Sequence, residues 1–243
     1  MTPLVIVDHT GRTTHEERMK VAAAMQRQIR EQFGLTYPKG YGVSALVRAA
    51  TEDTPAQEWE WPIGLFSHPD EPGDLGYHGK FFAKVFPLLS PETPWSSIAS
   101  HEALELIRNF ACNAIVQNYL GDFMADEPCD AVERDLYQID GIWLSNFVLP
   151  AWYEEPKPNA RYDWLGLCKQ PLEVRDGGYS QTWDQDRGWT MATKGELSSY
   201  RKALLDLGIS RHHSRSAKYH APEKIVIVDE PPPLPPPPVP SQT

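Results

Sequence analysis

Cysteine is scarce in this chain. Cys112, Cys129 and Cys168 are widely spaced and odd in number among 243 residues, which excludes a disulfide scaffold and a paired-cysteine zinc site. Reduced, buried thiols are the expectation. Positive charge is also short: 23 Lys and Arg stand against 33 Asp and Glu, a net charge of -10. With a pI near 5.3, general nucleic-acid binding is not expected, because phosphate contacts need a basic surface. The local exception, Arg211, Arg215, Lys218 and Lys224, reads as a solvated charge run. No apolar run approaches the roughly 20 residues that cross a bilayer. Residues 1–12 lack a basic start and a long apolar stretch, so no signal peptide and a soluble, cytoplasmic protein are expected. A Gly-rich phosphate loop following a strand is missing too, which leaves nucleotide binding without support.

Apolar residues make up 41% of the chain and aromatics 11%, enough for one substantial core. The β-branched run at residues 4–7 predicts a buried strand closed by a turn at Asp8 to Gly11. Thr14 and Glu17 form a capping-box pair ahead of a helix carrying Met19, Val21, Ala22, Met25, Ile29 and Phe33, with Gly34 as its stop. Residues 43–50, 63–66 and 83–86 predict further strands, the last after a Gly-rich turn region over 73–79. A second helix is expected over 93–110, with Pro94 in its first turn. Asp140-Gly141 between alternating apolar segments predicts a hairpin with a two-residue turn. A second hairpin is expected around Gly177-Gly178, and a last amphipathic helix over 195–207. These elements imply an α+β architecture, a sheet covered by two helices. We divide the chain into a domain over 1–208, a basic linker over 209–230 and a Pro-rich tail over 231–243, where PPPLPPPPVP forms polyproline II and cannot join a core.

The second helix carries the chemistry. Ser100-His101-Glu102-Ala103-Leu104-Glu105-Leu106 contains HExxE, in which His101 and Glu105 project from one helical face a turn apart, with Glu102 beside them. In the related HExxH motif, two His bind zinc and the Glu is a general base. Glu105 replaces the second His and hardens the site, so a divalent metal, zinc or calcium, is expected. A hydrolytic site needs a third protein ligand and an open position. Asp130 is the first choice from the acidic segment 125–135; Glu127 and Glu133 are alternative ligands or carboxylates that orient the imidazole. Glu102 is the expected base, taking a proton from the activated water and passing it to the leaving amine. His78, in Gly76-Tyr77-His78-Gly79, reads as a solvated loop histidine, and Cys129 as lacking a positioned His. The competing reading leaves His101, Glu102 and Glu105 on a solvated helix face.

The HExxE run, the segment Glu127-Pro128-Cys129-Asp130-Ala131-Val132-Glu133, the later Ser145-Asn146-Phe147-Val148-Leu149-Pro150 and the preceding Gly76-Tyr77-His78 together resemble a group of tailed-phage and bacterial proteins. The resemblance covers roughly residues 1–207. That group is similar in turn to the zincin-like metallopeptidases. The resemblance implies a mixed sheet over the motif helix, with an edge strand that aligns extended peptides by main-chain pairing. On that analogy Ala83, Lys84, Val85 and Phe86 form the substrate edge. A peptide or protein substrate, an origin in phage or prophage, and virion proteins as partners follow as expectations. The rivals are a non-catalytic phage structural or adaptor protein that keeps the scaffold and binds a partner through its Pro-rich tail, and a calcium site that only stabilises the fold.

Overall fold

The computed structural model describes residues 3–37, 45–69, 75–87, 93–184, 188–195 and 226–228. The expected last helix beyond Gly195 and the Pro-rich tail lie outside these residues, and the expected linker over 209–230 is described only at Val226–Val228. Strands β1 (Pro3–Asp8), β2 (Leu46–Ala49), β3 (Trp61–Leu65), β4 (Gly76–Gly79) and β5 (Phe82–Val85) form one sheet in the order β2-β1-β3-β5-β4. All pairs are parallel except β4 against β5. Leu4, Val5 and Ile6 of β1 are fully buried, as a parallel strand covered on both faces requires.

Helix α1 (His15–Gln28) begins where the sequence places it, with the Thr14 hydroxyl accepting from the Glu17 amide at 3.1 Å. The other half of the capping box differs: the Glu17 carboxylate accepts from the Trp95 indole at 2.8 Å and so ties the two helices together. Gly34 does not end the helix. The chain runs on through a π-helical turn, Ile29–Phe33, into α2 (Gly34–Thr36), with Gly34 itself helical at φ -65°. Packing holds this extension, because Phe33 and Tyr37 lie ring against ring at 4.7 Å and the Tyr37 hydroxyl donates to the Val148 carbonyl at 2.8 Å.

Two expectations near the sheet edge are corrected. The Gly-rich region is not simply a turn, since Gly76–Gly79 pairs along its length with β5. Tertiary pairing outweighs the poor strand preference of glycine. Ala83, Lys84 and Val85 therefore sit between β3 and β4, with both sides of β5 paired, and Phe86 follows the strand. β4 is the outer strand of this sheet among the described residues.

Helix α3 (Trp95–Arg108) is buried from Ser96 through Ile107 because it is covered on both sides. β4 and β5 pack on one side; on the other lies the hairpin of β8 (Leu136–Ile139) and β9 (Ile142–Ser145). The Asp140-Gly141 turn has φ of 51° and 79°, the two positive values that the predicted turn requires. Ser100 Oγ accepts from the Ser145 amide at 2.7 Å, and Gln28 Nε2 donates to the Ser145 carbonyl at 2.9 Å, so β9 is tied to both helices. Leu4, Ile6, Met25, Ile29, Ile63, Leu65, Leu104 and Leu106 share one core. The second sheet, β6 (Ile115–Gln117), β7 (Phe123–Ala125), β10 (Tyr179–Asp184), β11 (Gly188–Thr193) and β12 (Val226–Val228), has the order β12-β11-β10-β7-β6. Among the described residues no helix is long and apolar enough to cross a membrane.

Candidate metal centre

The motif residues of α3 point inward. His101, Glu102 and Glu105 are 5%, 2% and 0% exposed, which rules out the solvated helix face. Gly76 permits the sheet edge to approach them: a Cβ there would lie 2.6 Å from Ile98 Cγ2 and 3.3 Å from Glu102 Cγ. The opposite wall is the acidic segment after β7, ending in a 3-10 turn, Asp130–Val132. That turn is braced from behind by the Arg175 amide donating to the Ala131 carbonyl at 2.8 Å, and by Gly178, whose Cβ would lie 2.5 Å from Ala131 O and 2.9 Å from Asp130 O.

These elements converge on a chain of ionisable groups. His101 Nε2 lies 3.2 Å from Glu105 Oε1 and 3.4 Å from Asp130 Oδ1. On the other side, His78 Nε2 lies 3.2 Å from Glu127 Oε2 and 4.0 Å from Glu105 Oε2. Asn109, one turn beyond Glu105, donates from Nδ2 to Glu127 Oε1 at 3.0 Å, while its Oδ1 accepts from the amides of Asn113 and Ala114 at 2.8 and 2.7 Å. Arg108 pairs with the buried Asp126 at 2.7 Å and closes this end of the cluster. Among the described residues two groups of three side chains are spaced to hold a metal ion, His101, Glu105 and Cys129, and His78, Glu105 and Glu127, the ligand atoms of each lying within 4.8 Å of one another; Asp130 meets His101 but belongs to neither group.

His78 Nε2 and Glu127 Oε2 are hydrogen-bonded, whereas the atoms that meet around Glu105 are not. Neither Glu105 oxygen nor His101 Nε2 makes an aligned hydrogen bond, although all three are fully buried atoms. Orphaned buried carboxylate oxygens are costly unless a cation satisfies them. Tetrahedral metal bonds of about 2.1 Å place ligand atoms about 3.4 Å apart, close to the two separations at His101 Nε2. Without metal the cluster is electrostatically stressed. Burial, then the charges of Asp130 and Glu127, raise the Glu105 carboxyl well above the ordinary range against the opposing effect of His101. Burial would depress the His101 imidazole, but Glu105, Asp130 and Glu102 outweigh it and hold it at about 10. Burial, Glu105 and Asp130 push the Cys129 thiol up.

The structure thus brings together His101, Glu105 and Asp130, with Glu102 on the same helix. Glu127 is also in the cluster, but it meets His78 rather than orienting His101. Glu133 is half-buried beyond the 3-10 turn and belongs to neither group. Ala83 to Phe86 lie one strand inside the outer strand β4. Three residues were misjudged or passed over. His78 is a fully buried strand residue, not a solvated loop histidine; Cys129 does sit beside a histidine, His101; and Asn109 positions Glu127. Only the Gly76-Tyr77-His78 string hinted at the first. Compared with protein families, curated proteins and solved structures, the chain matches none.

Proposed function

We propose that this protein is a metal-dependent peptidase of the zincin-like kind, with a divalent ion, zinc foremost, held by His101 and Glu105 and by a third ligand from the two side chains beside them, Asp130 and Cys129. The observation that carries the reading is the pair of separations around His101 Nε2, 3.2 Å to Glu105 and 3.4 Å to Asp130, formed without aligned hydrogen bonds at His101 Nε2 or Glu105. A mixed sheet ending in an antiparallel strand, packed on the motif helix, supports it. An ion bound there would supply Lewis acidity toward a water and a peptide carbonyl. Glu102, next to His101, would be the base that accepts a proton from water held there and returns it to the leaving amine. β4, the outer strand on the described sheet, takes over from β5 as the strand against which an extended peptide pairs. The resemblance to phage and bacterial proteins makes host or virion proteins the substrate class.

The test is the Glu102→Gln variant assayed on unfolded protein and on peptide libraries. A fall in turnover of at least 100-fold with metal content unchanged supports the reading. Wild-type protein purified without chelator that carries no metal removes it.

One observation favours a second reading, a structural metal centre in a non-catalytic scaffold: every member of the cluster is at most 8% exposed, and structural sites are closed whereas catalytic ones keep an open position. In that case metal is bound tightly, no peptide is cut, and Glu102→Gln changes neither stability nor partner binding.

A further inference from the structure

Glu105 is placed between two histidines, one for each of its oxygens. Oε1 faces His101 at 3.2 Å and Oε2 faces His78 at 4.0 Å. Beyond each histidine stands a further carboxylate, Asp130 at 3.4 Å from His101 and Glu127 at 3.2 Å from His78. The arrangement is near-symmetric about the Glu105 carboxylate: one imidazole nitrogen and one terminal carboxylate on either side.

We propose that Glu105 bridges two divalent cations, the first on the side of His101 and the second held by His78 and Glu127. The second site rests on the reading of the first as a metal centre, and it extends it. His78, Glu105 and Glu127 present ligand atoms within 4.8 Å of one another and share no backbone element, since they come from β4, α3 and the loop after β7. A site assembled from three elements is fixed by the fold rather than by one local turn. The 3.2 Å and 4.0 Å separations at His78 lie within about 0.2 Å of the cis and trans spacings, about 3.0 and 4.2 Å, of an octahedron with metal bonds of about 2.1 Å.

A second observation points to a cation here. Glu105 Oε2 is fully buried, faces this side and receives no aligned hydrogen bond. The His78 imidazole is hydrogen-bonded to Glu127 at 3.2 Å, so it does not satisfy Glu105 Oε2, which it faces at 4.0 Å. Charge fits as well. Glu102, Glu105, Glu127 and Asp130 bring four negative charges into a buried space, and two divalent ions with neutral imidazoles match them. Nitrogen and oxygen ligands in this proportion suit zinc, manganese or ferrous iron, and carboxylate-bridged ions stand about 3.5–4 Å apart in two-metal hydrolytic sites.

The test uses the full chain, purified without chelator and equilibrated with zinc chloride or manganese chloride, then freed of loose metal. Elemental analysis should find two equivalents in the wild type and one in each of His78→Asn and Glu127→Gln. The manganese form should show the exchange-coupled resonance of two neighbouring ions, replaced by a single-ion spectrum in the variants. Wild-type stoichiometry and coupling decide the matter even if one variant fails to fold. One equivalent in the wild type with a single-ion spectrum, or two equivalents that neither variant lowers, overturns the second site while leaving the first intact. No bound metal at all overturns both.

Discussion

Single side chains show how far composition falls short of role. Asp8 is a partly buried carboxylate and Glu105 a fully buried one, and their surroundings treat them oppositely. Asp8 accepts from the Thr10 and Thr13 amides at 2.7 and 3.0 Å and from both hydroxyls at 2.6 Å. Burial alone would raise its pKa, but these hydrogen bonds prevail and hold it at about 2, below the ordinary 3.8. A carboxyl with a folded pKa below its unfolded value adds stability above the unfolded value and loses it as pH falls through the folded one. Asp8 should thus contribute about 2 kcal/mol near neutrality, lost between about pH 4 and pH 2. Urea unfolding of Asp8→Asn against wild type across this window checks it: the difference should be full at pH 6 and shrink toward pH 2. Glu105 has no such donors, and its complete burial, with the charge of Asp130, raises it. The turn at Asp8 was legible because its partners lie within a few residues. Of the groups around Glu105, His101 lies one turn away on α3, but His78 and Asp130 are 27 and 25 positions distant, and spacing along α3 said nothing of them.

At the scale of elements, glycines decide how closely the walls of the cluster approach. Gly76 lets β4 close on α3, and Gly178 lets the segment before β10 lie on the backbone of the Asp130 turn. The two differ in what gives way. A methyl group at Gly76 meets the Ile98 side chain at 2.6 Å and main chain, the Lys84 carbonyl, only at 3.1 Å, whereas at Gly178 it meets main-chain atoms at 2.5 to 2.9 Å. Gly178→Ala should therefore displace the Asp130 turn, costing about 2–3 kcal/mol, and weaken metal binding at His101 roughly 10-fold or more. Thermal melting of the chelated protein and a zinc titration read the two effects separately; unchanged zinc affinity would show that the turn is held by other contacts. The elements themselves were largely legible. Hydrophobic period marked β1, α1 and α3, and Asp140-Gly141 marked its hairpin turn. The failures were at β4 and Gly34, where local chemistry spoke for a turn and a stop while pairing with β5 and the packing of Phe33 and Tyr37 determined otherwise.

For the whole molecule, the cluster is both a cost and a source of stability. Four carboxylates and two imidazoles are buried where α3, the first sheet and the loop after β7 meet, so a bound cation would be linked to folding. An ion present at 100 times its dissociation constant adds about 2.7 kcal/mol, or about 5–10 °C in Tm for a chain of this size. Treatment with a chelator should lower Tm by that amount and readdition of zinc should restore it; a Tm indifferent to both would mean that no metal is held. By itself, the sequence determined which helix carries the chemistry, that His101 and Glu105 share one face of it, and that the fold mixes a sheet with two packed helices, because those properties follow from periods of a few residues. Tertiary structure alone decided that Glu105 stands between two histidines, that Glu127 belongs to His78, and that β4 rather than β5 is the outer strand, because each depends on chain segments whose approach is set by the packing of the whole core.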